Sequence, residues 1–338
     1  MRAQVTLNAN GFGNTYEDIN AVLAPAYNAI EVPDCVHTSF GRHIDEVFDT
    51  NLSTYVFRFH AHVTPDNDRC LFFDRQRTEI KTYDQSPNNL KATYNETVRY
   101  KWLFKLPSNF QSSPKFTHIH QIKSVGGPFS SMPMMTLTTR QNSAHRLQLR
   151  YAPQDTQSTI AEANIAPFLG EWIEATEVIH YNNSGTYSLV LKRVSDDAVL
   201  FDYNNSSIDT WQNGSSFARP KWGIYRSLDF PDFLQDEQVR FNSFSIEENP
   251  NLSVSDEVLL QNDIILVKEQ NSDDIFLMNA SKDIYDRVEI YDTLGRKLIS
   301  ELQNAEHRID ISSLKTGLHF VVLLKNNRKL LTLKFLNN

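Results

Sequence analysis

Hydrophobic and polar residues alternate along most of the chain after about residue 55, which is the pattern of half-buried β-strands. The alternating runs are rich in aromatic and β-branched residues, and clusters of Asn, Asp, Ser, Gly and Pro separate them. The clearest predicted strands cover residues 55–63, 97–105, 134–140, 146–151, 172–181, 187–193, 221–228 and 239–246. Helix is sparse, and residues 16–23 are the best candidate. Many short strands at near-regular spacing predict a β-jelly roll, a two-sheet sandwich with a concave cleft.

The last quarter of the chain repeats this pattern after a break. Residues 249–261 are polar, contain one proline and are predicted to form a linker. Further short strands are predicted at 264–268, 275–279, 287–292, 307–311, 317–324 and 329–336. A set of this size suits a small Ig-like β-sandwich. We therefore predict an all-β protein with a jelly-roll domain at 1–248 and an Ig-like C-terminal domain at 262–338.

Charge and composition narrow the possible partners. The 338 residues carry a formal net charge of -8, which argues against a general nucleic-acid binder because phosphate binding depends on Lys and Arg. No stretch approaches the roughly 20 apolar residues that span a bilayer, so no membrane insertion is expected. A polyanionic ligand would need a locally basic cleft.

Cysteine usage and the first residues bear on the compartment. Cys35 and Cys70 are the only cysteines, too few for a disulfide scaffold and without the clustered spacing of a zinc site. They fit either a single disulfide or two buried thiols. Residues 1–6 lack the basic segment and apolar run of a signal peptide, so we expect either a cytosolic protein or a leader that has been removed.

The first run that carries candidate chemistry is residues 55–63. Alternate residues from Tyr55 to Val63 are apolar, whereas Arg58, His60 and His62 point the other way. This predicts two imidazoles and a guanidinium on one solvated face.

The second run is residues 74–81. It sets Arg75, Arg77, Glu79 and Lys81 on one face of a strand. Three cations around one carboxylate can hold carboxylated or sulfated sugars, since Arg grips such groups bidentately. A solvated face with internal salt bridges is an equally good interpretation of this run alone.

The third run is residues 116–123. Strand parity places Gln121 and Lys123 on one face and His118, His120 and Ile122 on the other, unless a bulge intervenes, which leaves His120 ambiguous.

The fourth run is residues 221–227. Lys221, Gly223, Tyr225 and Ser227 share a face there, and Gly223 is predicted to leave room for a ligand. Taken alone, Tyr225 is more typical of a packing tyrosine in a half-buried strand.

Together these runs resemble the ordered signatures of jelly-roll polysaccharide lyases. Alginate lyases of that architecture carry R-x-E-x-R, Q-I-H and K-A-G-x-Y-x-Q. The matching residues here are Arg77, Glu79 and Lys81, then Gln121 and Ile122, then Lys221, Gly223 and Tyr225. Lys123 replaces the histidine of Q-I-H, and Ser227 replaces the final glutamine.

The sequence of residues 41–228 is more similar to ulvan lyases of marine Bacteroidetes and to glucuronan lyases than to alginate lyases. The stretches that carry this similarity include FDRQRTEIKTYDQSP, FTHIHQIKSVGG and RPKWGIYRS. The resemblance implies β-elimination next to glucuronate, or next to iduronate beside sulfated rhamnose. Ulvan is the expected substrate, because the C-terminal segment resembles a sorting domain confined to Bacteroidetes, with glucuronan or alginate as alternatives.

β-Elimination needs a group that neutralises the uronate carboxylate, a base for the C5 proton and an acid for O4. Gln121, with Arg77 or a nearby histidine, is the expected neutraliser. Tyr225 is the expected acid, and cations such as Lys221 would let it serve as base too.

Because Lys123 has displaced the usual histidine, the histidine contribution is expected from His60 first, then His62, with His120 third. The residues expected to bind substrate are Arg58, His62, Arg75, Glu79, Lys81, Lys123, Lys221 and Ser227.

No redox or nucleotide cofactor is implied, because the chain has neither G-x-G-x-x-G nor a P-loop. Asp66, Asn67 and Asp68 offer oxygen ligands for a structural Ca²⁺, although an ordinary turn is the favoured interpretation of this cluster.

The C-terminal segment 262–338, with VEIYDTLGRKL and then RIDISSLKTGLHFVVL, resembles the sorting domain of the Bacteroidetes type 9 secretion system. That resemblance implies a secreted or cell-surface protein, with the type 9 secretion machinery as a partner and a leader peptide already removed. A generic Ig-like ligand-binding module is the alternative.

Two rivals to a lyase remain at this point. A non-catalytic carbohydrate-binding jelly roll would use the same basic face without needing Tyr225. A glycoside hydrolase of the laminarinase type needs closely spaced carboxylates, as in E-x-D-x-x-E, and no predicted strand carries them.

Overall fold

The computed structural model describes residues 4–250, 265–268, 274–278, 285–302, 308–325 and 328–337. The chain divides into two compact units, Met1–Pro250 and Asn251–Asn338. Most of the predicted linker 249–261 lies outside the described residues, as do residues 264, 279 and 307 of the predicted strands.

The first unit is built almost entirely from strands and has one α-helix, α1 (Thr15–Leu23), close to the helix predicted at 16–23. Its strands are β1 (Gln4–Leu7), β2 (Ile30–Glu31), β3 (Ile44–Asp49), β4 (Thr54–Ala61), β5 (Arg75–Lys81), β6 (Thr97–Lys105), β7 (Thr117–Val125), β8 (Met135–Gln141), β9 (His145–Tyr151), β10 (Ser158–Asn164), β11 (Trp172–His180), β12 (Gly185–Arg193), β13 (Val199–Ile208), β14 (Phe217–Ser227) and β15 (Glu237–Glu248). Short 3₁₀ turns occur at Asn88–Leu90, Ala166–Phe168 and Pro231–Phe233.

These strands form two antiparallel sheets. One has the order β13-β12-β11-β6-β15-β4-β3, with β1 also paired to β15, and the other has the order β10-β9-β8-β7-β14-β5-β2. We call them the first sheet and the second sheet. The prediction of an all-β, two-sheet fold is confirmed.

Strand β6 shows how the sequence selects this arrangement. Residues Val98, Tyr100, Trp102 and Phe104 are buried, while the residues between them are half-buried. This period of two presents one apolar face to the core, as expected for a sheet covered on one side.

The core lies between the two sheets, and aromatic side chains connect them. The Trp222 ring of β14 lies 6.2 Å from Trp102 of β6 and 5.0 Å from Phe244 of β15. The opposite face of the second sheet is therefore left for polar side chains.

A disulfide joins Cys35 and Cys70, whose Cα atoms are 6.4 Å apart. It links residues 32–43, between β2 and β3, to residues 62–74, between β4 and β5. Of the two alternatives left open by the sequence, the structure contains the disulfide.

The second unit has strands β16 (Ile265–Lys268), β17 (Asp274–Met278), β18 (Arg287–Tyr291), β19 (Lys297–Leu302), β20 (Arg308–Asp310), β21 (Gly317–Lys325) and β22 (Arg328–Asn337). They form a three-stranded sheet, β16-β17-β20, and a four-stranded sheet, β19-β18-β21-β22. Buried aliphatic residues such as Ile275, Ile290 and Val321 make its core. No helix in the described part of the chain has the length and apolar character that a membrane span requires.

Candidate active site

Three of the four chemistry-bearing runs lie side by side as the neighbouring strands β7, β14 and β5 of the second sheet. Tyr225 is opposite Arg77, and Lys221 is opposite both Lys81 and Gln121. Directly opposite residues project to the same side of a sheet. Their side chains therefore share the face of the second sheet that points away from the core, which we call the cleft face.

Gly223 allows β14 and β5 to approach each other closely. Its φ is +146°, and a Cβ atom there would lie 2.7 Å from the Cα of Glu79. The prediction that Gly223 leaves room for a ligand is wrong, because the backbone of β5 takes that space.

Two buried carboxylates organise the cations of the cleft face. Glu79 accepts from Arg77 at 2.6 Å and from Lys221 at 2.7 Å, and Glu31 of β2 pairs with Lys221 and with Lys81, the latter at 2.8 Å. Burial alone would raise the pKa of Glu79, but Lys221 and Arg77 outweigh it and hold that pKa below its ordinary value. We call these five residues the buried ion network. Glu31 was not identified from the sequence, because a strand of two residues is too short to show an alternation of polar and apolar positions.

Arg77 is fixed by this network and still presents a donor. Its Nε bonds Asp68 at 2.9 Å and its Nη1 bonds Glu79 and Glu31. Among the described residues, none accepts a hydrogen bond from Nη2. Gln121 is also held in place, since its amide nitrogen donates to Glu79.

Tyr225 lies among cations and aromatic rings. Arg75 donates to its phenol oxygen at 3.1 Å, and the guanidinium carbon of Arg77 lies 3.7 Å from the ring centroid. The rings of Phe116 and His118 are 5.0 and 5.8 Å away. Positive charge therefore surrounds a phenol that is only 8% exposed. Ser227 lies at the end of this row, opposite Arg75.

A β-bulge in β7 reverses the predicted orientation of His118 but not that of His120. His118 is opposite Tyr225, whereas His120 is opposite Trp222, and the pairing with β8 shifts between the two histidines. The extra residue, Ile119, is buried in the core. His118 therefore lies on the cleft face and His120 on the core face.

The expectation that His120 contributes to the site is wrong. Its Nε2 bonds Glu177 at 2.9 Å and its Nδ1 bonds the Lys221 carbonyl at 3.0 Å. Its ring packs 4.3 Å from Trp102, between the two sheets.

His118 is the functional candidate that the sequence pattern missed, because strand parity without a bulge assigns it to the other face. It is 6% exposed, and its Nδ1 has no hydrogen-bond partner among the described residues. Burial lowers the pKa of His118 to about 3; Glu79 opposes this, and Arg140 and Arg77 add to it. The imidazole is therefore neutral at physiological pH.

The first of the four runs, residues 55–63, does not lie on the cleft face. Strand β4 belongs to the first sheet, paired with β3 and β15, so the expectation that His60 supplies the histidine of the site, with Arg58 binding substrate beside it, is wrong. The same holds for His62, which follows β4 and bonds Asp66. Arg58 and His60 instead bond Asp45, at 2.6 and 3.1 Å. The physical reason is that residues 62–74 carry the chain from one sheet to the other.

Beside the buried ion network, the cleft face carries cations without carboxylate partners. Lys123, Arg219, Arg140 and Arg150 form no salt bridge within residues 4–250, and the first two are cross-strand neighbours. Their described hydrogen bonds go to neutral groups, such as the Ser131 carbonyl for Lys123 and the Thr82 carbonyl for Arg219. We call these four residues the unpaired basic stripe. Burial, with Lys221 and Arg219 nearby, lowers the pKa of Lys123 to about 8.

The three residues expected to offer calcium ligands have separate partners. Asp68 bonds Arg69 at 2.7 Å and Arg77 at 2.9 Å, and the Asn67 side chain accepts from the backbone N–H of Cys70 at 2.7 Å. Asp66 bonds histidines. Calcium binding there stays a prediction.

Comparison with known proteins bears on both units. A family model described as polysaccharide lyase matches residues 46–245, and one described as secretion system C-terminal sorting domain matches residues 271–336. No curated protein matches the chain.

Several solved structures are similar to this chain. An endo-β-1,4-glucuronan lyase from Trichoderma reesei is 18% identical, with 60% of this chain and 86% of that chain covered and a TM-score of 0.43. An alginate lyase from Aplysia kurodai is 13% identical, with coverage of 72% and 98% and a TM-score of 0.48. An alginate lyase from Pseudomonas aeruginosa is 15% identical, with coverage of 60% and 84% and a TM-score of 0.41.

Proposed function

Because this chain belongs to the polysaccharide lyase family, we propose that it cleaves an acidic, uronate-containing polysaccharide by β-elimination on the cleft face, and that the substrate is ulvan. The observation that carries the proposal is the position of Tyr225, between Arg75, Arg77 and His118. A phenol, two guanidiniums and a neutral imidazole on one face supply the groups that this reaction needs.

In the reaction, the C5–H bond of a uronate breaks and its proton passes to a base. The electron pair forms the C4=C5 double bond, and the C4–O4 bond breaks as O4 receives a proton. The uronate carboxylate accumulates negative charge during proton removal, so groups that neutralise it lower the barrier.

Arg77 and Gln121 are suited to neutralise that carboxylate. Both are fixed by Glu79, which removes the cost of orienting them when substrate binds. The Nη2 of Arg77 is the donor that its protein contacts leave for the substrate.

Tyr225 is suited to carry the proton transfers. Its hydroxyl can protonate O4. The hydrogen bond that Arg75 donates then stabilises the negatively charged phenolate oxygen that proton loss leaves behind. His118, rather than His60, supplies the histidine of the site as a neutral group beside the phenol.

The unpaired basic stripe supports ulvan over unsulfated polyuronates. Half-buried cations that lack carboxylate partners are stabilised by an anionic ligand, and guanidiniums match the oxygens of a sulfate ester. Arg140 on β8 and Arg150 on β9 extend the positive face beyond Tyr225, where residues flanking the uronate would bind. Ulvan presents both a uronate and a sulfated rhamnose, whereas glucuronan and alginate lack the sulfate.

A substrate panel tests this proposal. Ulvan, glucuronan and alginate are each incubated with the protein, and the absorbance of the new conjugated double bond is followed. We expect the highest kcat/KM on ulvan, and we expect Arg140→Gln to lower it on ulvan more than on glucuronan. Faster cleavage of glucuronan or alginate would reassign the substrate, and no unsaturated product from any of them would contradict elimination itself.

The titration of Lys123 predicts a pH dependence of substrate binding. Since its pKa is about 8, Lys123 is positive below pH 8 and loses its charge above it. We expect KM for ulvan to rise by about fivefold between pH 7 and 9, equivalent to one lost ionic contact of about 1 kcal/mol. Lys123→Arg retains its charge, so its KM is expected to stay flat. Identical KM profiles for the two proteins would remove Lys123 from substrate binding.

The second unit supports export. Because residues 271–336 match a secretion sorting domain, we infer that the protein is secreted or displayed at the cell surface through the type 9 machinery. Deleting residues 262–338 in a type 9-competent host is expected to retain the lyase inside the cell, as measured by activity in the medium.

A further inference from the structure

Three histidines converge on one buried carboxylate. None of these residues belongs to β5, β7 or β14, the strands that carry Tyr225 and its neighbours. His37 Nδ1 lies 2.8 Å from Asp66 Oδ1, His43 Nε2 lies 3.1 Å from the same oxygen, and His62 Nδ1 lies 3.0 Å from Oδ2. The side chains of Asp66 and His43 are 0% exposed, and those of His37 and His62 are each 16% exposed. We call these four residues the three-histidine cluster.

The spacing of the ligand atoms fits a single metal ion. All four ligand atoms lie within 4.8 Å of one another. In a tetrahedral site with metal–ligand bonds of about 2.0–2.1 Å, the ligand atoms are about 3.3 Å apart. The observed nitrogen–oxygen distances of 2.8 to 3.1 Å therefore need to expand by only a few tenths of an ångström.

A second carboxylate orients His43 for this purpose. The Nδ1 of His43 bonds Asp34 at 2.7 Å, and Asp34 is in turn held by the Tyr16 hydroxyl at 2.9 Å. This leaves Nε2 as the nitrogen of His43 that faces Asp66. A carboxylate–histidine pair of this kind fixes the tautomer and the ring orientation of metal-binding histidines.

The charges of the carboxylates around the cluster also favour a bound cation. Asp34 and Asp66 bring two negative charges, and neither forms a salt bridge with Lys or Arg among residues 4–250. With three neutral imidazoles, a divalent cation would balance both charges. Of the two carboxylates, Asp66 is fully buried, where an anion gains most from a bound cation.

We propose that the three-histidine cluster binds one Zn²⁺ ion in a closed, structural site. Three imidazole nitrogens and one carboxylate oxygen are ligands that zinc prefers, and four protein ligands leave no position for a substrate. Cys35 and Cys70 bridge the same two segments, so the ion and the disulfide join residues 32–43 to residues 62–74.

The three-histidine cluster is connected to the cleft face through residues 66–68. Asp68 lies two residues after Asp66 and bonds both Arg69 and Arg77. Holding Asp66 therefore holds the segment that positions Arg77. The ion acts on the cleft face through this segment and takes no part in chemistry there.

Metal analysis of untagged protein tests the proposal, because a polyhistidine tag would itself bind zinc. We expect about one zinc ion per chain in protein from zinc-supplemented medium. His43→Asn is expected to lose the ion, whereas the matched control His180→Asn, whose ring bonds Thr97, is expected to keep it. Asp34→Asn preserves all four ligands and is expected to weaken zinc affinity by about 10–100-fold.

Two measurements on the unmutated chain keep the test decisive if His43→Asn fails to fold. Protein stripped with a chelator is expected to gain about 10 °C in Tm on addition of excess ZnCl₂. Co²⁺ in place of zinc is expected to give the intense visible absorption of a four-coordinate ion. Absence of bound zinc, of a Tm change and of the cobalt spectrum would overturn the proposal and leave a hydrogen-bonded histidine network. None of these readouts depends on lyase activity.

Discussion

Replacing Tyr225 by Phe is expected to reduce kcat for elimination by about 10²–10⁴-fold, the range for loss of a positioned acid or base. The substitution removes the oxygen that Arg75 contacts and keeps the ring that packs against Arg77 and Phe116. The fold and the cation contact to the ring should therefore survive. Initial rates of double-bond formation measure the loss, and an unchanged thermal unfolding curve would show that it is not due to misfolding.

Two histidine variants sharpen this result. His118→Ala is expected to slow elimination by at least about tenfold, because it removes the imidazole beside the phenol. His60→Ala is the matched control: His60 bonds Asp45 on the first sheet, so near-normal turnover is expected. Near-normal elimination by Tyr225→Phe, or a larger loss in His60→Ala than in His118→Ala, would contradict the proposed site.

Local alternation was sufficient to predict most of the sandwich. Strand β6 occupies the predicted residues 97–105, because its buried positions are apolar and its other positions, except Leu103, are polar or charged. The edge strand β13 was missed, since half of its sequence VLFDYNNSSI is polar and only Phe201 and Ile208 are buried. An edge strand can be polar because it has a neighbour on one side only.

The candidate site was partly predictable for the same reason. Parity along β5 and β14 placed Arg77 and Tyr225 on one face, and the register brings them together. The position of His118 depends on a bulge, which is a property of pairing with β8 and β14 rather than of β7 alone. The sheet to which His60 belongs depends on the path of residues 62–74, which periodicity does not encode.

The buried ion network explains why a site built for an anionic substrate needs carboxylates of its own. Without substrate, Arg77 and Lys221 would be buried cations on the same face, and Glu79 and Glu31 compensate them. The unpaired basic stripe has no such compensation within the first unit. One set of cations is therefore neutralised by carboxylates of the protein, whereas the other has no carboxylate partner among residues 4–250.

Glu79→Gln is expected to destabilise the first unit by about 3–5 kcal/mol, the usual cost of removing one partner from a buried ion pair. The amide nearly preserves the shape, so the loss reports the charge that Arg77 and Lys221 no longer meet. Urea unfolding followed by tryptophan fluorescence measures it, because all four tryptophans lie within residues 102–222. Glu162→Gln, at an exposed position 3.8 Å from Arg146, is the control and should change stability by less than about 0.5 kcal/mol.

The pH dependence of the stability difference between the original chain and Glu79→Gln shows whether the difference arises from the charge of Glu79. Since the folded-state pKa of Glu79 lies below its ordinary value of 4.5, its ionised form stabilises the fold above that pH. The stabilisation is lost as the pH falls below 4.5 toward the folded-state pKa, so the unfolding midpoints of the original chain and of Glu79→Gln should converge in acid. A difference that stays constant from pH 7 to acid would assign the loss to packing of the amide, and equal stability at pH 7 would show that Glu31 alone satisfies both cations.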